Sequence, residues 1–135
     1  MTPNKWLTLV VVAVGVFMAT LDSSVVNVSL PAIAHHFGVP LGAAVEWVVI
    51  AYLVSVAALL LSIGRLADLV GRRTVWLTGL GLFTAASLAC GAAPSLTSLI
   101  IARALQGVGG ACLMAISPAM LTSAFPPEQR GRAIG

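Results

Sequence analysis

A chain of 135 residues that is 59% hydrophobic and only 8% charged cannot clothe a water-soluble domain, in which roughly a quarter of the residues carry charge. Its net charge of +3, from seven Lys and Arg against four Asp and Glu, is too thin a basic surface for a nucleic-acid partner. What remains is a protein whose solvent is lipid.

Four apolar runs follow one another, Trp6 to Leu30, Val45 to Ile63, Thr74 to Ala93 and Leu96 to Met120, each close to the roughly 20 helical residues that cross a hydrocarbon core. Alternation of period two is absent, which argues against a membrane barrel. The chain therefore reads as an all-α membrane protein of four transmembrane helices, with no separate soluble domain. Lys5 ahead of the first run, and Ala19 within it, would also suit a cleaved leader. The apolar resumption at Val25, Val26 and Val28 favours a span that is kept.

The cations give an orientation. Lys5 precedes the first run, Arg65, Arg72 and Arg73 lie between the second and third, and Arg130 and Arg132 follow the fourth. The connections Pro31 to Ala44 and Pro94–Ser95 hold no Lys or Arg. By the positive-inside rule the N-terminus and the connection after the second run are expected to be cytoplasmic.

The first run carries a carboxylate, Asp22, in FMATLDSSVVNVSLP. An acid inside a membrane is costly and marks a functional candidate. On a helical wheel Asp22 shares a face with Gly15 and Ser29, and Thr20, Ser23, Ser24 and Asn27 lie on another. Those hydroxyls and the amide are expected to bond to backbone or to neighbouring helices.

Two groups near the second run carry less. Glu46, beside Trp47, suits the headgroup region; alternatively it adds a negative group that attracts cations. His35 and His36 read as a solvated pair, since no nearby Cys or further His completes a metal set. Cys90 and Cys112 lie at different depths and read as packing residues rather than a disulfide. No nucleophile, oxyanion or cofactor constellation is present, so the expectation is a non-enzyme without metal or cofactor.

The fourth run holds Arg103, seven residues after Leu96, as Asp22 lies eight before Leu30. At 1.5 Å per residue each sits about 10 to 12 Å inside the same end of its helix, so the two charges share a depth. Arg103, Gly107, Ala111, Ala115 and Ala119 recur every four residues, a small-residue ridge for close helix approach. GVGG within the run is no phosphate loop, because no strand precedes it. Pro118 removes a backbone donor near the far end.

GRLADLVGRR, Gly64 to Arg73, concentrates three arginines and an aspartate in ten residues. Composition alone allows a generic cytoplasmic turn. Asp68 and Arg72 stand four apart and can pair if the helix persists, while Gly64 and Gly71 permit tight turns or close backbone approach.

This segment resembles the signature loop of the major facilitator superfamily. LDSSVVNVSLP is similar to the helix-one motif of its fourteen-helix drug:proton antiporters, with Ser24 and Ser29 in place of Thr and Ala. RALQGVGGA, Arg103 to Ala111, resembles their helix-four motif, and FPPEQRGRAIG the loop into their fifth helix. Leu69 and Val70 make the signature loop more apolar than the usual form.

The resemblance covers nearly the whole chain. It implies part of the N-terminal six-helix bundle of a transporter, with the sequence stopping where a fifth helix should begin and the remaining helices as its partners. It further implies proton-coupled efflux of a small molecule, a cationic or amphipathic drug, across the lipid bilayer. Asp22 and Arg103 then become the proton-coupling candidates, because burial and a neighbouring cation act on a carboxylate in opposite senses. Gln106, Gly107, Ala111 and Ala115 become helix-packing positions. The loop residues Gly64, Arg65, Asp68, Gly71, Arg72 and Arg73 would form a cytoplasmic gate, with Glu128 and Arg130 joining its charge cluster. Two other readings stand beside this one: an autonomous four-helix exporter acting as a dimer, and a non-transporting module that packs on a partner.

Overall fold

The computed structural model describes residues 4–135. They form four long helices, α1 (Lys5–Phe37), α2 (Ala43–Val70), α3 (Arg72–Gly91) and α4 (Leu96–Ala124), followed by a 3-10 turn (Pro127–Gln129) and the short helix α5 (Arg130–Ile134). All four long helices are long and apolar enough to cross a membrane. Short connections set successive helices antiparallel. One end of the bundle, here the amino-terminal face, gathers Lys5, the α2–α3 joint and α5; the opposite face carries the other two connections.

Helix ends follow local chemistry. The Asn4 side chain accepts from the Trp6 N–H at 3.1 Å and caps α1, meeting one of the donors a helix start leaves open. The apolar pattern ends the first helix near Leu30, but α1 runs on through Pro31 to Phe37 and stops at Gly38, in the left-handed region at φ 65°. A proline removes one hydrogen bond, and in lipid the remaining backbone groups still have no better partner than the helix. His35 and His36 therefore lie on the exposed last turn of α1 rather than in a loop.

GRLADLVGRR is likewise mostly helical. α2 extends to Val70, α3 starts at Arg72, and Gly71 alone joins them at φ 106°, a backbone region that costs an L side chain dearly. Ser95 opens α4 by accepting from the Ser98 N–H at 3.2 Å. α4 passes through Pro118 to Ala124.

α4 is the hub. Its most apolar stretch is 61% buried, against 17% for that of α1. Close approach on two sides explains this. A Cβ on Gly107 would lie 2.6 Å from the Tyr52 carbonyl oxygen and 2.7 Å from Ser55 Cβ, so the α2 backbone rests on this spot. A Cβ on Gly109 would lie 2.6 Å from the Phe83 nitrogen and 2.8 Å from the Gly79 oxygen, so α3 rests on the other side. The GVGG stretch thus clears two faces at once.

α1 docks more lightly, burying Val12, Gly15, Ala19 and Ala34. Trp76 of α3 fills the gap beneath it: a Cβ on Gly15 would stand 2.7 Å from the indole, whose N–H donates to Ser117 Oγ at 3.3 Å. Thr20, Ser24 and Asn27 face away from the bundle and donate to carbonyls of their own helix, at 2.9, 3.1 and 2.9 Å. Each polar group is satisfied locally.

Candidate functional site

Asp22 of α1 meets Arg103 of α4. An Arg103 Nη1 hydrogen bond reaches one carboxylate oxygen of Asp22 at 2.6 Å, and Gln106 Nε2 donates to the other at 2.9 Å. Residues three apart on a helix share a face, so Arg103 and Gln106 grip the carboxylate together. The same guanidinium donates through Nη1 to Gln106 Oε1 at 2.7 Å and through Nε to the Val48 carbonyl of α2 at 3.1 Å. Its carbon lies 4.5 Å from the centre of the Tyr52 ring, within cation–π reach.

The two charges differ in access. Arg103 is 2% exposed and Asp22 is 18% exposed. Asp22, Arg103 and Gln106 line a cavity of about 490 Å³ that continues past Val26 and Cys90 to His36 near the opposite face. Cys90 Sγ donates weakly to Gln106 Oε1 at 3.5 Å. The amide of Gln106 has one workable orientation, since turning it over would set an NH₂ group against the guanidinium. No buried side-chain nitrogen or oxygen among the described residues lacks a partner.

Gln106, expected at a helix-packing position, is fully buried there and in addition bonds both members of the pair. The ridge positions Gly107 and Ala111 are buried, and Ala115 is half-buried. Tyr52 and Val48 escaped the sequence reading. Tyr52 is the chain's one tyrosine, and a phenol alone in an apolar span was the available signal, because buried Tyr hydroxyls need a partner or a purpose. Val48 contributes only its carbonyl, which no side-chain pattern announces.

The charged groups of GRLADLVGRR gather on the amino-terminal face. Arg72 pairs with Asp68 at 3.5 Å across Gly71 and donates to the Ala119 carbonyl at 3.3 Å, bridging α2, α3 and α4. Both partners are exposed, and pairs of this kind contribute about 0 to 1 kcal/mol. Gly64, Arg65 and Arg73 lie beside them with Arg65 and Arg73 exposed. Glu128 is exposed on the 3-10 turn and takes part in neither ion pair of the described residues. Arg130 turns back to donate to the Phe125 carbonyl at 3.2 Å. Between them Gln129 ties the turn to α1, accepting from Lys5 Nζ at 3.2 Å.

A multi-pass helical unit that buries a carboxylate–guanidinium pair beside a cavity has the build of a membrane transport protein, for intramembrane charges mark ion and substrate paths. The chain matches the family model of the Major Facilitator Superfamily over residues 12–135, and it belongs to that superfamily. It is 39% identical over 132 residues to the riboflavin transporter RibZ of Clostridioides difficile, covering 98% of this chain and 29% of the relative. It is 43% identical over 136 residues to the multidrug resistance protein Stp of Mycobacterium tuberculosis, covering 100% of this chain and 25% of the relative. The puromycin resistance protein pur8 of Streptomyces alboniger is 40% identical over 134 residues, covering 98% of this chain and 26% of the relative. The chain spans between 25% and 29% of the length of these relatives. No solved structure matches it.

Proposed function

We propose that this chain forms the amino-terminal part of a proton-coupled efflux antiporter of the cell membrane, working with further helices of such a transporter on small cationic or amphipathic molecules. It is a transport element and not an enzyme. The observation that carries the reading is the unequal exposure of the central pair on one cavity, a carboxylate 18% exposed held by a guanidinium only 2% exposed.

The chemistry follows from the hydrogen bonds. When Asp22 takes up a proton, its attraction to Arg103 collapses, yet Arg103 keeps the Val48 carbonyl, Gln106 Oε1 and the face of Tyr52. The cation stays satisfied while α1, the least buried of the four long helices, loses its ionic tie to α4 and keeps only the neutral bond from Gln106 Nε2. Proton uptake is thereby converted into freedom of one helix. A proton crossing 100 mV releases about 2.3 kcal/mol, and one pH unit adds about 1.4. Together these sustain a solute gradient of several hundredfold, at about 1.4 kcal/mol per factor of ten.

The arginines of the amino-terminal face put that face in the cytoplasm. There the Asp68–Arg72 pair acts as one half of a gate whose counterpart belongs to a second bundle.

A chimera in which these 135 residues replace the matching part of Stp provides the assay. Asp22→Asn in that chimera is expected to reduce proton-driven efflux in everted vesicles to background at unchanged membrane abundance; undiminished efflux sinks the proposal. Asp68→Asn should slow cycling while leaving substrate binding intact, as read by efflux rate against equilibrium substrate retention. Normal cycling would remove the gating role.

A further inference from the structure

A second cavity, of about 290 Å³, lies on the amino-terminal face between the start of α1 and α5. Its rim is polar and cationic: Lys5, Gln129 and Arg132. Its floor is apolar, formed by Trp6, Leu9, Phe125 and Ala133. Lys5 Nζ is poised over this floor, 5.6 Å from the centre of the Trp6 ring and 5.8 Å from that of Phe125, with Gln129 Oε1 at 3.2 Å. The two rings meet edge to face at 6.0 Å and hold the floor together. Neither Lys5 nor Arg132 takes part in an ion pair among the described residues.

We infer that this cavity binds the phosphodiester headgroup of an anionic phospholipid. Three features select that ligand. The volume lies at the small end of ligand sites, which start at roughly 300 Å³, and suits a compact headgroup. Two cations without acidic partners at the boundary of the apolar spans attract a phosphate, as basic pockets at helix ends do. The apolar floor continues outside the cavity as exposed side chains along α1, with Trp6 61%, Val10 57% and Phe17 64% exposed. These stand near one face at helical spacing, a track for an acyl chain running down from the phosphate. A free phosphate would use the rim and leave the floor and track without a role.

Native mass spectrometry of the full chain, released from micelles containing equal amounts of phosphatidylglycerol and phosphatidylcholine with matched acyl chains, tests this. The chain is expected to retain phosphatidylglycerol preferentially, and the double variant K5Q/R132Q to lose that preference by about thirtyfold, as two basic groups beside an anionic lipid imply. The double variant R65Q/R73Q removes two cations from the same face and should retain the preference. K5R/R132K should also retain it, which separates lost charge from a lost fold. Equal retention of the two lipids, or a preference that survives K5Q/R132Q, overturns the site. Displacement of the lipid by millimolar glycerol phosphate or inorganic phosphate would assign the rim to a soluble anion and overturn the lipid assignment.

Discussion

Replacing Arg103 by Met is expected to destabilise the bundle by about 3 to 5 kcal/mol, the cost of leaving one member of a buried ion pair alone. Arg103 is 2% exposed and supplies hydrogen bonds to Asp22, Gln106 and the Val48 carbonyl. Its loss leaves the Asp22 carboxylate with Gln106 Nε2 as its remaining side-chain partner, and the Gln106 amide oxygen with only the weak Cys90 thiol. Asp22→Asn should cost less, because the guanidinium retains Val48, Gln106 and Tyr52, and an Asn can still accept from Gln106 Nε2. The double variant D22N/R103M should then be more stable than R103M alone. Unfolding in mixed micelles by increasing the mole fraction of sodium dodecyl sulfate, followed by far-UV circular dichroism, measures all three. A penalty for R103M within the about 0 to 1 kcal/mol range of exposed pairs would mean that the pair is solvated and has no special standing.

Gly109→Ala is expected to cost about 1 to 3 kcal/mol, the range for overpacking a filled interior. The added methyl would meet the Phe83 nitrogen at 2.6 Å, the Gly79 oxygen at 2.8 Å and Phe83 Cα at 2.9 Å, all backbone atoms of α3. Backbone cannot rotate away, so α3 and α4 must separate along their length. Two glycines serve as controls. At Gly110 the new methyl meets the Tyr52 hydroxyl at 2.6 Å, the far end of a side chain, and at Gly64 it meets nothing within 4 Å. Gly64→Ala should be neutral or stabilise, since alanine gains up to about 1 kcal/mol over glycine in a helix interior. The same unfolding assay ranks the three, and a Gly109→Ala chain as stable as Gly64→Ala would refute the close α3–α4 contact.

Much of the site was legible because lipid restricts the choices. With few charges in the chain, Asp22 and Arg103 stand out, and the regular rise of a helix sets their depths without any knowledge of packing. The depths read as level, and the structure brings the two groups to 2.6 Å. The four-residue ridge also showed that one side of α4 accepts a close neighbour. It did not show the second such side, at Gly109, since a lone glycine off the ridge carries no periodic signal.

The joint at Gly71 was partly legible. Gly and Arg-rich composition marked a connection, yet α2 and α3 continue almost through it. Apolar residues such as Leu66, Leu69 and Val70 extend the helix beyond the span, and only the positive φ at Gly71 interrupts it. The 3-10 turn after Pro126 was not legible as such, and it is Gln129 within it that reaches Lys5 at the start of α1.

Composition and periodicity by themselves determined that the chain is helical and membrane-spanning, and which charges lie at which depth, because in hydrocarbon a helix must satisfy its own backbone and its rise is constant. Only the tertiary structure decided that Gln106 completes the grip on Asp22, that Tyr52 and the Val48 carbonyl hold Arg103, and that α4 is the hub. Those facts depend on the rotation and separation of neighbouring helices. Glycine-scale contacts between facing backbones set both, and no single helix encodes them.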